Sequence, residues 1–415
     1  MTRNISFQIE NTTFQGKLIY GNGNENEIKC TLFKPYSKIL QDMFQSENGC
    51  IFTLNGRIEN IENFTATNCD VRDGIIPIYY HLVEKDRELN YKINIGTLYI
   101  GVSNIDKTVK NIKKCEFKIS HEIPFLKNTE QIYISKHNFN IKFDENIIIK
   151  FENSVSLDEL NQILFDLKIF FQILVLNKDI EIIEKYFYLE DETKIEEIKK
   201  YEKDEGPNQS ITTYLIKEND KFNIENSLNI WFEAKEKYGK IFDYLSGILK
   251  ESTLKHMEFK LFALSQWIEA YSREFLKDSA LQIINNSLIK DIDKKFLNSI
   301  TGKNNTFRTN LNGLFIIKNL EQLVFDNLNS NKKDCLISDI ICYRNNLTHL
   351  NVKDNLNNQQ AVNLYEILKN LIYLFIMEEL QVQDNRNYDK FKNEVNHFYK
   401  KYNALYKTIR KCANK

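Results

Sequence analysis

The stretch SLDELNQILFDLKIFFQILVL, Ser156 to Leu176, divides the chain into two kinds of sequence. It opens on Ser156-Leu157-Asp158-Glu159, the S-x-x-E form of a capping box, and its apolar residues then recur at helical spacing. A helix is expected over 156–176. Two strand-like runs follow it, EIIEKYFYL (181–189) and TTYLIKE (212–218), so the helix is expected to pack on a sheet.

Toward the N-terminus the segments are short, strand-like and punctuated by turn residues. FQGKLIYGNGNENEIKCTLF (14–33) reads as a hairpin turning near Gly21 to Asn24. IFTLNGRIENI (51–61), KINIGTLYIGVS (92–103), CEFKISHEI (115–123), QIYIS (131–135) and NIIIKF (146–151) read as further strands, several with apolar residues at every second position. Together they predict a mostly antiparallel β-rich domain, a sandwich or barrel-like. The charged run EDETKIEEIKKYEKDEGPNQS (190–210) has few large apolar residues and reads as an exposed loop or frayed helix, with a regulatory or partner-binding insert as the alternative.

Toward the C-terminus the punctuation disappears. All four Pro lie at or before Pro207, and eight of the 13 Gly lie at or before Gly101. From about Glu225 apolar residues recur at three and four, which predicts helices over 227–249, 254–276, 281–299, 306–328, 333–347, 358–382 and 388–412. The fold class is therefore α+β: a β-rich domain over 1–222, including the helix at 156–176, followed by an all-α bundle over 223–415.

Composition narrows the function. A formal net charge of -1 and a pI near 6.6 exclude a globally basic nucleic-acid clamp and leave room for local patches. Seven widely separated Cys with no C-x-x-C pair point to reduced thiols rather than zinc or a disulfide framework. MTRNISFQIENTTF lacks the blocks of a signal peptide, and the strongest apolar runs are broken by charge, so a soluble, cytoplasmic protein with no membrane association is expected. No phosphate-cradling Gly-rich motif occurs and no His or Cys has a second ligand at metal spacing; neither cofactor nor metal is expected.

One segment of the helical half is written unlike its neighbours. ICYRNNLTHL (341–350) places an Arg, two Asn and one of the six His within six residues. Leu336, Ile340, Tyr343 and Leu347 form an apolar stripe, with Arg344 beside it and His349 just beyond it. On an ideal helix residues five apart are separated by about 140° of rotation. Arg344 and His349 can therefore converge only if the helix ends or bends near Asn345 to Thr348. Imidazole can take a proton from a ribose 2′-OH or give one to a leaving 5′-oxygen, and guanidinium can hold phosphate oxygens as charge builds on them.

Arg344-Asn345-Asn346-Leu347-Thr348-His349 resembles the R-x-x-x-x-H motif of HEPN domains, which include many metal-independent endoribonucleases of toxin and anti-phage systems. The layout of a β-rich region followed by a helical bundle is similar to that of ApeA-type abortive-infection proteins. The resemblance covers roughly 225–415 for HEPN, and the layout alone before that. It implies Arg344 and His349 as the catalytic pair, with Asn345 as the polar residue that orients them. ALSQWIEAYSREF (263–275) resembles the family segment that contributes a carboxylate, with Glu269 as the candidate; the alternative is a solvated helix residue. The implied partners are an RNA substrate, transfer RNA among the candidates, a second copy of the chain, and a phage-derived trigger at the N-terminal domain. The competing expectation is a non-catalytic HEPN-like protein that dimerises and senses a ligand. The basic C-terminal run, with Lys400, Lys401, Lys407, Arg410, Lys411 and Lys415 and no acid after Glu394, reads either as a solvated helix end or as a grip on an RNA backbone.

Overall fold

The computed structural model describes residues 2–9, 12–20, 27–33, 52–59, 62–73, 88–102, 111–127, 129–175, 180–199, 215, 223–249, 257–285, 310–311, 314, 330–348, 358–382 and 389–401. The chain forms two compact units, 1–165 with 180–211 and 166–179 with 212–415.

The first unit is built on antiparallel pairing throughout. Its strands are β1 (Thr2–Ile9), β2 (Thr12–Ile19), β3 (Glu27–Phe33), β4 (Phe52–Ile58), β5 (Glu62–Asp73), β6 (Glu88–Asn94) and β7 (Thr97–Ile100). They are followed by β8 (Ile112–Ile119), β9 (Ile132–Ile134), β10 (Phe139–Phe143), β11 (Ile147–Val155), β12 (Ile182–Leu189) and β13 (Lys194–Lys199). The thirteen strands run in the order β4-β1-β2-β3-β6-β5-β7-β13-β12-β8-β11-β10-β9, and β4 also pairs with β5. That extra pairing closes β1, β2, β3, β6, β5 and β4 into a six-strand ring, the barrel-like form of the expected β domain. The expected hairpin is present as the β2–β3 pair, with Ile19 opposite Glu27.

β5 joins the ring to the rest of the sheet because its two ends have different partners. Phe64 to Thr67 pair with β7, whereas Asp70 and Val71 pair with β6. The change falls at Asn68, whose backbone takes the left-handed conformation (φ 52°) and whose carbonyl accepts from the Gly96 N–H at 3.2 Å. A Cβ on Gly96 would lie 2.8 Å from the Asn68 Cβ, so this approach requires glycine. Ile5, Phe7, Leu18, Ile28, Leu54, Ile58, Phe64, Ala66 and Leu98 form one buried apolar cluster with its neighbours.

The charged run after β12 corrects the sequence reading, because Lys194–Lys199 is a strand and not an exposed loop. Its charges divide by face. Ile195 and Glu197 are buried, and Glu197 stands directly opposite Lys185, whose Nζ lies 2.5 Å from its Oε2. A glutamate neutralised by a cross-strand lysine does not need a solvated loop. Residues 200–210 of that run, and all of TTYLIKE except Leu215, lie outside the described residues.

The helix expected over 156–176 is α1 (Leu157–Leu174). The capping box closes in both directions: the Glu159 N–H donates to Ser156 Oγ at 3.2 Å and the Ser156 N–H donates to Glu159 Oε2 at 2.8 Å. The first half of α1 belongs to the sheet unit, where Lys185 Nζ donates to Asn161 Oδ1 at 2.9 Å. The second half belongs to the helical unit, where Trp231 Nε1 donates to the Asp166 carbonyl at 3.0 Å and Phe170 meets the Trp231 ring.

The helical unit also holds α2 (Ile224–Leu249), α3 (Met257–Asn285), α4 (Ser330–Thr348), α5 (Asn358–Glu379) and a helix over 389–401. α3 runs unbroken through Leu281, so the expected separation between helices at 254–276 and 281–299 does not occur. Lys277-Asp278-Ser279-Ala280 contains neither Pro nor Gly to stop it. Leu371 to Met377 of α5 are all buried, which makes this helix the centre of the unit. Residues 286–299 of the helix expected over 281–299, and most of the one expected over 306–328, lie outside the described residues. Among the described residues no helix is long and apolar enough to cross a membrane.

Candidate active site

Leu336, Ile340 and Tyr343 of the predicted stripe are buried, 1%, 1% and 7% exposed, and seat α4 against its neighbours. Arg344, the next residue, therefore leaves the edge of this packed face. α4 is described as far as Thr348, and the segment in which Arg344 and His349 would have to converge lies beyond it. His349 itself lies outside the described residues, as do the side chains of Asn346, Leu347 and Thr348.

The guanidinium of Arg344 is held on two sides. Its Nη2 donates to Glu269 Oε2 at 2.6 Å, and its Nη1 donates to the Asn345 side-chain carbonyl at 2.9 Å. Glu269 comes from α3, 75 residues earlier in the chain, and is buried rather than solvated. Its other oxygen, Oε1, accepts from Arg273 Nη2 at 3.0 Å. Side-chain exposure rises outward through the group, from 11% at Glu269 to 25% at Arg344 and 55% at Arg273. Three of the four residues singled out in the sequence, Arg344, Asn345 and Glu269, are thus in direct contact. Arg273 was missed. The signal was present, since Glu269 and Arg273 stand four apart on one helix face with the acid N-terminal to the base.

α3 is fixed firmly around Glu269. Trp267 Nε1 donates to the Ile241 carbonyl of α2 at 2.9 Å, and the Trp267 and Tyr271 rings stack with centroids 4.9 Å apart. Tyr271 stacks in turn on Phe275 and on Phe375 of α5. Its hydroxyl donates to Glu379 Oε2 at 2.7 Å. Burial first, and then the neighbouring Glu379 carboxylate, raise the Tyr271 pKa well above the usual phenol value, so this group serves as a neutral strut. An aromatic spine of this kind leaves the carboxylate one position and presents it to Arg344.

Such an arrangement can bind an anion. Two guanidiniums share one carboxylate, so these three side chains together carry one net positive charge. Among the described residues no cluster of three or more His, Cys, Asp or Glu side chains forms a metal-binding group.

Residues 262–386 match the Apea-like HEPN family, and this part of the chain is an Apea-like HEPN domain. The matched interval contains Glu269, Arg273, Arg344, Asn345 and His349 and is narrower than the 225–415 suggested by the sequence. No curated protein and no solved structure matches the chain.

Proposed function

We propose that the protein is a metal-independent endoribonuclease of an anti-phage system, acting through Arg344 and His349. The observation that carries the reading is the Arg344 guanidinium held between Asn345 and the buried Glu269, five residues before His349 in the chain. A guanidinium fixed in this way is a preorganised donor for a phosphate on which negative charge grows.

The reaction needs no group beyond those of the chain and its substrate. His349 takes the proton of a ribose 2′-OH, and the freed oxygen attacks the adjacent phosphorus. Arg344 stabilises the charge on the non-bridging oxygens. The bond to the 5′-oxygen breaks, and an imidazolium gives that oxygen a proton. The products are a 2′,3′-cyclic phosphate, which water can open to a 3′-phosphate, and a free 5′-OH. One motif supplies one base and one guanidinium, whereas the step uses a base and an acid together. A two-fold dimer would place a second copy of each beside the first.

The test is RNA cleavage by the purified protein in excess EDTA, with a parallel substrate carrying a 2′-deoxy nucleotide at the cut. Cutting in EDTA that the 2′-deoxy substitution blocks is the expected result. No cleavage of cellular RNA under any metal condition would favour a non-catalytic dimerising sensor instead.

A further inference from the structure

The Arg344–Glu269–Arg273 group contains a residue that the proposed reaction leaves unused. Glu269 is 8% exposed, and a buried carboxylate is costly unless it is compensated. Arg344 already compensates it at 2.6 Å. The second cation leaves the group with excess positive charge, which neutralising Glu269 does not require. Both guanidiniums reach one carboxylate, so their nearest nitrogens are within about 8 Å of each other. The inner one is three-quarters covered and fixed by Asn345 as well, whereas the outer one is more than half exposed and is joined to the protein only by an i,i+4 helix pair among the described residues. Exposed pairs of that kind are weak and exchange readily for a better acceptor.

We infer that Arg273 is a second phosphate-contacting residue, binding the RNA phosphate next to the scissile one along the strand. Arg344 sits deeper and takes the reacting phosphate. A strand that leaves this position toward solvent passes the exposed guanidinium one turn further along α3, which can release Glu269 Oε1 and close on a phosphate oxygen. Glu269 then serves as the joint that sets the spacing of the two cations. The inference rests on the ribonuclease reading for the nature of the ligand, and on the ion-pair geometry for the site.

Binding decides it, separately from cleavage. The probe is a labelled mixed-sequence 2′-O-methyl RNA 15-mer, which the proposed chemistry cannot cut, titrated against the full-length protein over a range of salt. Each phosphate contact to a single strand contributes about 0.7 to the slope of log K against log salt. Arg273→Ala should weaken binding at low salt about tenfold and lower that slope by about 0.7. Arg273→Lys should retain the slope with part of the affinity, because the charge remains and the planar fork is lost. Lys260→Ala removes the same charge from α3 roughly 20 Å away and should leave the slope unchanged. With a cleavable substrate, Arg273→Ala should raise KM and leave kcat within about twofold.

An unchanged slope in Arg273→Ala, or an equal change in Lys260→Ala, would overturn the assignment. If Arg273→Ala unfolds, Arg273→Lys carries the test, since a purely structural arginine would lose both slope and affinity with its fork. Loss of slope in a protein that cuts no RNA would retain Arg273 as a phosphate contact and reject the ribonuclease reading. Cleavage with an Arg273-independent KM would do the reverse.

Discussion

Glu269 holds both guanidiniums by accepting at each oxygen, and a substitution that keeps its shape shows how much depends on that. Gln has one acceptor oxygen and a donor NH2, so one arginine would face a donor. Glu269→Gln is predicted to lower kcat on the order of 10²-fold, since small displacements of a catalytic group have effects of that size. A thermal scan should show only a modest change, because the spine of Trp267, Tyr271 and Phe375 does not use the carboxylate. An unaltered kcat would mean that Arg344 is positioned without the Glu269 carboxylate. Most of this site was legible as sequence: R-N-N-L-T-H gave Arg344 and Asn345, and the resemblance of ALSQWIEAYSREF gave Glu269. Arg273 is not legible in the same way, because i,i+4 pairs are common on solvated faces and only the burial of its partner distinguishes this one.

At the scale of elements, α1 shows how a buried charge can fix packing. Lys235 of α2 is 5% exposed at its side chain and pairs with Asp166 of α1 at 3.0 Å and with Asp243. Lys235→Ala would leave Asp166 buried without that partner, and breaking such a pair costs about 3–5 kcal/mol. Chemical denaturation should show a loss of that order, and the double variant Asp166→Leu with Lys235→Leu should recover much of it. A loss below about 1 kcal/mol for the single variant would mean that water or a rearranged side chain replaces the pair. The start of α1 was readable, because a capping box is local chemistry. The correct reading of Lys194–Lys199 depended on Lys185 across the sheet, and the double pairing of β5 depended on the left-handed Asn68 and on Gly96, so neither could be read from a run of residues.

For the whole molecule, the proposed chemistry calls for two copies of the motif, and the surface that joins them must be sought outside Leu371 to Met377, because those residues are buried within one chain. Charged substitutions on exposed positions of the helical unit that render the protein monomeric, judged by light scattering, should abolish cleavage without changing circular dichroism. A fully active monomer would contradict the dimeric site. Sequencing and end-group analysis of cellular RNA after induction of the wild-type chain, His349→Ala and Arg344→Ala decides whether this pair cuts RNA. The wild type should yield fragments with 2′,3′-cyclic phosphate or 3′-phosphate ends and 5′-OH partners. Each variant should yield roughly 10² to 10⁴ times fewer at equal protein level. Equal fragment yields from a folded His349→Ala protein, or fragments ending in 3′-OH, would contradict it.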